Sequence, residues 1–441
     1  MTELAVVGTA AEQQLAAQWQ EAKGRLPGLP ALRQAAFRRF DALGLPHRRL
    51  EEWKYTDLRA LLRDVKPLAG LPDAAAKGRA KDAGQWVADI DARRIVFIDG
   101  VFVAELSDTG NLEPGLTIRS MAQALAASDP LVTDHLDKVV PIDNDGVIAL
   151  NTALMGDGAL IHVAAGATVE RPIHLVFATA GDRPASVFTR SLVVIETGAR
   201  VMLVESHEGA AGAEYQVNTA LELLVGDKAH VDHIKLIGGS RSGIHVSSLM
   251  ASVGANARFN DFSFTTGGAV VRNQTFLCLD GENTLAGVRG VSMLKGRQHA
   301  DTTLLVDHAS RGGQSREMFK SVIDGESRSV FQGKISVQQK AQKTDAKMMT
   351  QALLLSDEAE AINKPELEIF ADDVQCGHGA TSGALNDDLK FYLMARGIPR
   401  KEAETLLVQA FVGEAIEGIE HAGLRDALMG HVVTWLRARE D

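Results

Sequence analysis

One tract carries the residue types best suited to sulfur or metal chemistry. Residues 365–398 read PELEIFADDVQCGHGATSGALNDDLKFYLMARGI and hold Cys376 two positions before His378, with glycines on both sides. An even spacing places a thiol and an imidazole on one face of an extended strand. Thiolate and imidazole together suit iron and zinc. Asp372 and Asp373 lie close in sequence, but an iron–sulfur cluster is normally held by four ligands, mostly cysteine. Two ligands cannot close such a site in one chain. The pair is therefore either structural or half of a site that a partner completes.

Elsewhere the chain lacks the usual signatures. The only Gly-Lys pair, Gly333-Lys334, is followed by Ile335, so no phosphate-binding loop of the Walker type is present. No G-x-S-x-G elbow, H-E-x-x-H motif, paired C-x-x-C or convincing dinucleotide fingerprint occurs. His230 and His233 are three apart, which puts them on opposite faces of a strand and argues against a shared metal. His299 and His308 are too far apart locally to pair, so each of these histidines reads as solvated or hydrogen-bonded structure. A net charge of −11 over 441 residues argues against a nucleic-acid surface. The only cysteines, Cys278 and Cys376, read as free thiols of a reducing compartment. The N-terminus lacks a signal-peptide pattern and no apolar run reaches membrane length, so the expected location is cytoplasmic.

The elements that must position the pair follow from the apolar pattern. Leu15, Trp19 and Ala22, then Leu32, Ala36, Phe40 and Leu43, recur at helical spacing. Pro30 near the start and Gly44 just past the end bound the second helix. Residues 46–58 surround Trp53 and Tyr55 with charge and read as a junction anchored by an aromatic side chain. Residues 74–91 read as a mobile linker, residues 94–106 as a strand pair, and residues 120–136 as one helix capped by Ser120. From about Val147 the texture becomes β-rich, with turns led by Gly166, Gly198, Gly226, Gly254, Gly281, Gly296 and Gly325. The steps between successive glycines from Gly198 to Gly281 are 28, 28 and 27, and that from Gly296 to Gly325 is 29. A near-constant step with no helical period between turns predicts the stacked rungs of a parallel β-helix, with a chance glycine spacing in a β-sandwich as the alternative. Such a stack has open ends, so pairing with another chain at one end is expected. Asn386 then caps a helix ended by Gly397. Beyond Pro399, Val408, Val412, Ile416 and Ile419 form an apolar stripe, which packs either on the chain's own β-stack or against a partner. The expected division is a helical region with linker over 1–92, a β-helix over 93–383 and a helical domain over 384–441. Carbohydrate-active β-helix enzymes are the rival class; aromatics at 5% and no export signal count against it.

The chain resembles the SufB/SufD family of iron–sulfur cluster assembly proteins, and within it the SufD branch. The resemblance rests on RRLEEWKYTDL near the N-terminus, ALNTALMGDGALIHVAAGATVERPIHLVF, SVFQGKISVQQKAQKTDAKMMTQALLLSDEAEAINKPELEIFADDVQCGHGATSG, and NDDLKFYLMARGIPRKEAETLLVQAFVGE. It implies a right-handed parallel β-helix between helical termini. It implies a non-enzymatic subunit that pairs with a SufB-type scaffold and binds a SufC-type ATPase through C-terminal helices. Leu406, Leu407, Ala410, Phe411, Val412 and Glu414 would then dock the ATPase. His378, foremost, and Cys376 would be inter-subunit ligands for iron or an iron–sulfur cluster held transiently at the SufB interface, with no cofactor held stably by this chain alone. SufB-like chains carry more cysteines and EHEA-like residues where this chain has GHGA at Gly377 to Ala380, which favours SufD. A homodimer through the SufB-facing surface is expected of the isolated chain.

Overall fold

The computed structural model describes residues 8–209, 214–240 and 242–439. The first seven residues, part of the N-terminal stretch on which the signal-peptide expectation rests, lie outside them. Parallel strands alternate between two sheets, and among the described residues these sheets contain ten and nine strands. Each rung contributes one strand to each sheet. Ile244 pairs with Val270, Val270 with His299, His299 with Arg328 and Arg328 with Glu360. The rung step therefore lies between 26 and 32 residues, bracketing the glycine step. This is a β-solenoid with helices at both termini, as the spacing predicts.

The glycine rhythm has a steric cause. At Gly226, Gly254 and Gly281 each turn rests on the backbone of the turn below. A Cβ on Gly281 would lie 1.9 Å from the Ala255 nitrogen, far inside van der Waals contact. Only a residue without a side chain lets turns stack at the strand spacing.

Inside the solenoid, register converts sequence into columns. Val201, Val231, Phe259, Ala286, Ser315, Ala346 and Cys376 stack in one, and Leu203, His233, Asp261, Val288, Glu317, Met348 and His378 in the next. The first column is mostly apolar and belongs to a continuous buried core. Burying each such aliphatic or aromatic side chain contributes roughly 1.5–3 kcal/mol.

The two ends of the stack differ. At the N-terminal end the sheets finish in short antiparallel additions, Val101–Phe102 on Arg93–Ile98 and Leu116–Ser120 on Ala159–Val163. At the C-terminal end they finish in Glu360–Ile369 and Gln375–Gly383, each bonded to a neighbour on one side only. Ile369 and Phe370 are exposed there.

Two sequence expectations need correction. Residues 74–91 are not a mobile linker. They form the short helix Ala74–Arg79 and the turn Gln85–Val87, with Ala76, Ala80 and Val87 buried. Trp86 stacks on His431 at 4.3 Å, and its carbonyl accepts a hydrogen bond from His431 Nε2 at 3.0 Å. The alanine-rich composition suited a linker, but a single tryptophan with a seat over Gly238 decides the matter. The helix expected over 120–136 is two, Met121–Ala126 and Pro130–His135. Ser120 does cap the first, but Ser128 takes a left-handed φ of 52° and Pro130 cannot continue the ladder.

The stacked turns yield a test. Gly281→Ala is expected to lose about 1–3 kcal/mol in urea denaturation, by overpacking. Gly413→Ala, in the helix Arg400–Ile416 with open space at its Cβ, is expected to be neutral or stabilising by up to about 1 kcal/mol. Equal stability of the two variants would refute the close-approach argument.

Candidate functional site at the open rung

Cys376 and His378 sit on Gln375–Gly383, the end strand of the ten-stranded sheet. The even spacing does place them on one face, the interior one. Cys376 stacks on Ala346 and packs against the core, and His378 stacks on Met348 and is exposed. They are the last members of the two interior columns. The thiol is held above its ordinary range by burial first, and by the nearby carboxylates Asp345 and Glu317. It is therefore a neutral thiol in this chain, and an external cation or metal would be needed to draw out the thiolate.

The neighbours do not complete a site. Asp372 and Asp373 are exposed, and Asp373 pairs with Lys343. Among the described residues, Cys376 and His378 belong to no grouping of three or more potential metal ligands. Cys278 lies in Val270–Leu279 of the other sheet, and burial pushes its thiol to about 11. The two thiols thus lie in different sheets.

The glycines around the pair serve the opposite face. Gly377 and Gly379 present no side chains outward, and the outer surface there is a hollow of about 500 Å³. Its walls include Arg289, Arg316, Lys347 and Met349. The Cys-Gly-His-Gly run thus directs a thiol and an imidazole inward while clearing the outer face.

Below His378 the interior column holds polar groups among its apolar ones, which local sequence did not reveal. His233 is fully buried, with Nδ1 at 2.7 Å from Asp261 and Nε2 at 3.1 Å from Glu205. Burial alone would lower its pKa, but the two carboxylates outweigh it and raise it to about 9. His207 and His245 meet edge to face at 4.7 Å and are driven neutral, chiefly by burial. His230 and His233 do point to opposite faces, as their spacing requires. His299 shares the Thr56 hydroxyl at 2.8 Å, and His308 Nε2 lies 2.9 Å from the Ser315 hydroxyl. The rung step could have found part of the His233 triad: 233 and 261 are 28 apart and pair in register, whereas Glu205 pairs with Lys235 and reaches His233 from the neighbouring column.

The N-terminal aromatic segment is an anchor on the solenoid wall. Trp53 is buried, with the Arg272 guanidinium 4.3 Å above its ring. Arg272 donates to Asp301 at 2.6 Å and to the Glu52 carbonyl at 2.7 Å.

The C-terminal stripe resolves into a buried and an exposed part. Val408, Val412, Ala415, Ile416 and Ile419 are buried, joining a core shared with the outer face of the ten-stranded sheet. Val412 is thereby withdrawn from any docking surface, because its side chain is spent on the solenoid. Phe411 is half-buried under the Lys320 ammonium, 4.5 Å from its ring, and Glu414 pairs with the same lysine. Leu407 is half-buried, while Leu406 and Ala410 are exposed. The larger exposed apolar surface is one helix earlier. Asp387–Ala395 has no buried residue and presents Leu389, Phe391, Tyr392 and Met394 to solvent, with Phe391 73% exposed.

Glu317 links the site to pH. It lies two rungs below His378, neither carboxyl oxygen meets a hydrogen-bond partner, and burial pushes its pKa from 4.5 to about 7. Between those values the folded chain holds more protons than the unfolded one, so stability falls as pH rises from about 4.5 to 7. Glu317→Gln should abolish that fall, on the order of 2–3 kcal/mol. Denaturation midpoints with the same pH slope in variant and wild type would rule it out.

Comparison with known proteins places the chain in a family. Residues 177–411 match the family described as SUF system FeS cluster assembly, SufBD core domain, and residues 13–175 match the SufBD protein N-terminal region. An iron–sulfur cluster assembly SufBD family protein of Synechocystis is 33% identical, with 90% of this chain and 88% of the relative covered. The iron–sulfur cluster assembly protein SufD of Escherichia coli is 30% identical over 88% of this chain and 89% of its own. SufD of Bacillus subtilis is 26% identical over 91% and 92%. The chain, a two-sheet solenoid between helical termini, therefore belongs to the SufBD family of iron–sulfur cluster assembly proteins.

Proposed function

We propose that this chain is a SufD-type, non-catalytic subunit of a SufB–SufC–SufD complex. The observation that carries the reading is the open last rung. Glu360–Ile369 and Gln375–Gly383 offer free backbone donors and acceptors on one side, and a solenoid rung left unpaired recruits another rung. A SufB-type scaffold continuing the stack would satisfy those groups. It would meet His378 and Cys376 at the junction and supply the ligands they lack. Iron or a nascent cluster is then cargo at the interface, not a resident of this chain. In the absence of the scaffold, the same edges favour a symmetric pair of copies.

The helix Asp387–Ala395, together with Leu406 and Ala410, is the surface for a SufC-type ATPase. It follows directly on the last rung, with only residues 384–386 between them. Motion of the ATPase would therefore act on the strand that bears Cys376 and His378. No helix of the described residues is long and apolar enough to cross a membrane.

A purely structural role for the subunit draws support from one observation, the half-buried and protonated Cys376 thiol. The two readings part experimentally. In the reconstituted three-protein complex, His378→Ala is expected to cut iron content and cluster yield at least several-fold while the complex stays intact. Unchanged iron and sulfide in the Cys376→Ala/His378→Ala double variant would leave only the structural role. For the ATPase surface, Phe391→Asp and Leu406→Asp should weaken co-purification with SufC. The melting temperature should stay within about 1–2 °C of wild type, because both side chains are exposed.

A further inference from the structure

A second constellation lies on the outer wall of the solenoid, away from the open rung. His230 and Asp232 are two apart on the strand His230–Ile237, so both face outward. Glu420, in the turn between the helices Arg400–Ile416 and Ala422–Arg437, closes over them. His230 Nε2 lies 3.6 Å from Asp232 Oδ2 and 3.8 Å from Glu420 Oε2, and the three donor atoms lie within 4.8 Å of one another.

These distances are too long for hydrogen bonds. The His230–Asp232 separation reaches the upper edge of a tetrahedral polyhedron, and the 3.8 Å to Glu420 closes to it with a small movement of that exposed side chain. A tetrahedral ion with bonds of roughly 2.0–2.2 Å has ligand-to-ligand edges of roughly 3.3–3.6 Å. The surroundings orient the donors for that purpose. Asn260 donates to Asp232 Oδ1 at 2.8 Å, and Arg258 holds Glu420 Oε1 at 2.9 Å. Each carboxylate therefore has its other oxygen turned to the imidazole. His230 Nε2 itself is shielded from solvent and has no hydrogen-bond partner. A buried, orphaned imidazole nitrogen facing two half-satisfied carboxylate oxygens needs an explanation.

We propose that His230, Asp232 and Glu420 bind a divalent first-row transition ion, of which zinc is the representative. One nitrogen and two carboxylate oxygens make a borderline donor set that suits such ions. The half-exposed Glu420 leaves a fourth position for water. Arg258 and Asn260 are the outer partners that fix the ligand carboxylates. The ion would bridge the solenoid wall to the turn of the C-terminal helical hairpin, so its effect is to fasten the hairpin in place. The assignment stands apart from the chemistry of the open rung and from the identity of any partner.

The test uses the full-length chain, stripped with a chelator and titrated with zinc chloride by calorimetry at neutral pH. One equivalent is expected to bind, with cobalt giving the visible absorption of a tetrahedral site. Melting should rise with zinc in the wild type. His230→Ala and Glu420→Gln are each expected to lose affinity at least about tenfold. Both should remain folded, since Glu420 is exposed and His230 lies on the outer wall, outside the apolar cores. The Cys376→Ala/His378→Ala variant should bind as the wild type does. Absence of binding by the wild type, or equal binding by His230→Ala, overturns the proposal. Loss of binding only in the Cys376/His378 variant would move the ion to the open rung and equally overturn it.

Discussion

A parallel β-solenoid satisfies its backbone by stacking, and stacking has to stop somewhere. Every interior rung of this protein is bonded above and below. The final rung is bonded below only. That single asymmetry organises the molecule. It places the ends of the interior columns, Cys376 and His378, at a surface where another rung can continue them. It also explains why the two ends differ, since short antiparallel strands and helices cover the first.

The polar interior follows from the same geometry. In-register stacking forces like positions into columns, so a charge placed inward on one rung must be answered on the next. Asp261, His233 and Glu205 answer one another within the solenoid. Glu317 has no such answer and is pushed towards its neutral form. Unpaired, it lies in the column that ends at His378. The interior thus passes from satisfied charge in the middle of the stack to an unsatisfied carboxyl near its open end.

The outer wall of the ten-stranded sheet is covered by the C-terminal hairpin, and this covering divides the hairpin's apolar residues. Val408, Val412 and Ile416 are spent on the wall. The helix before the hairpin has no wall to cover and keeps Phe391 and Tyr392 exposed. Trp86 packs between the wall and the hairpin, so a segment of unremarkable composition becomes part of the joint. The cluster of His230, Asp232 and Glu420 exists only because the hairpin turn arrives over that strand.

Much of this was legible in the residues, because some physical constraints are local. The helices over Ala10–Ala22 and Pro30–Leu43 follow from their spacing and from Pro30 and Gly44. The solenoid follows from a glycine step, since its turns need either close turn-on-turn contact, as at Gly254 and Gly281, or a left-handed φ, as at Gly198 and Gly296. The shared face of Cys376 and His378 follows from strand pleating alone. What the sequence could not decide was which partner each face meets. Composition made residues 74–91 a linker, although one tryptophan finds a seat. An apolar stripe is equally apolar whether it meets its own wall or a partner, so Val412 could not be told from Leu406. His233 and its carboxylates, or Glu420 and His230, are joined across one or many rungs. Periodicity and spacing determine elements and their faces because those forces act within a few residues. Only the tertiary structure decides which faces meet, because that depends on register and docking summed over the whole stack.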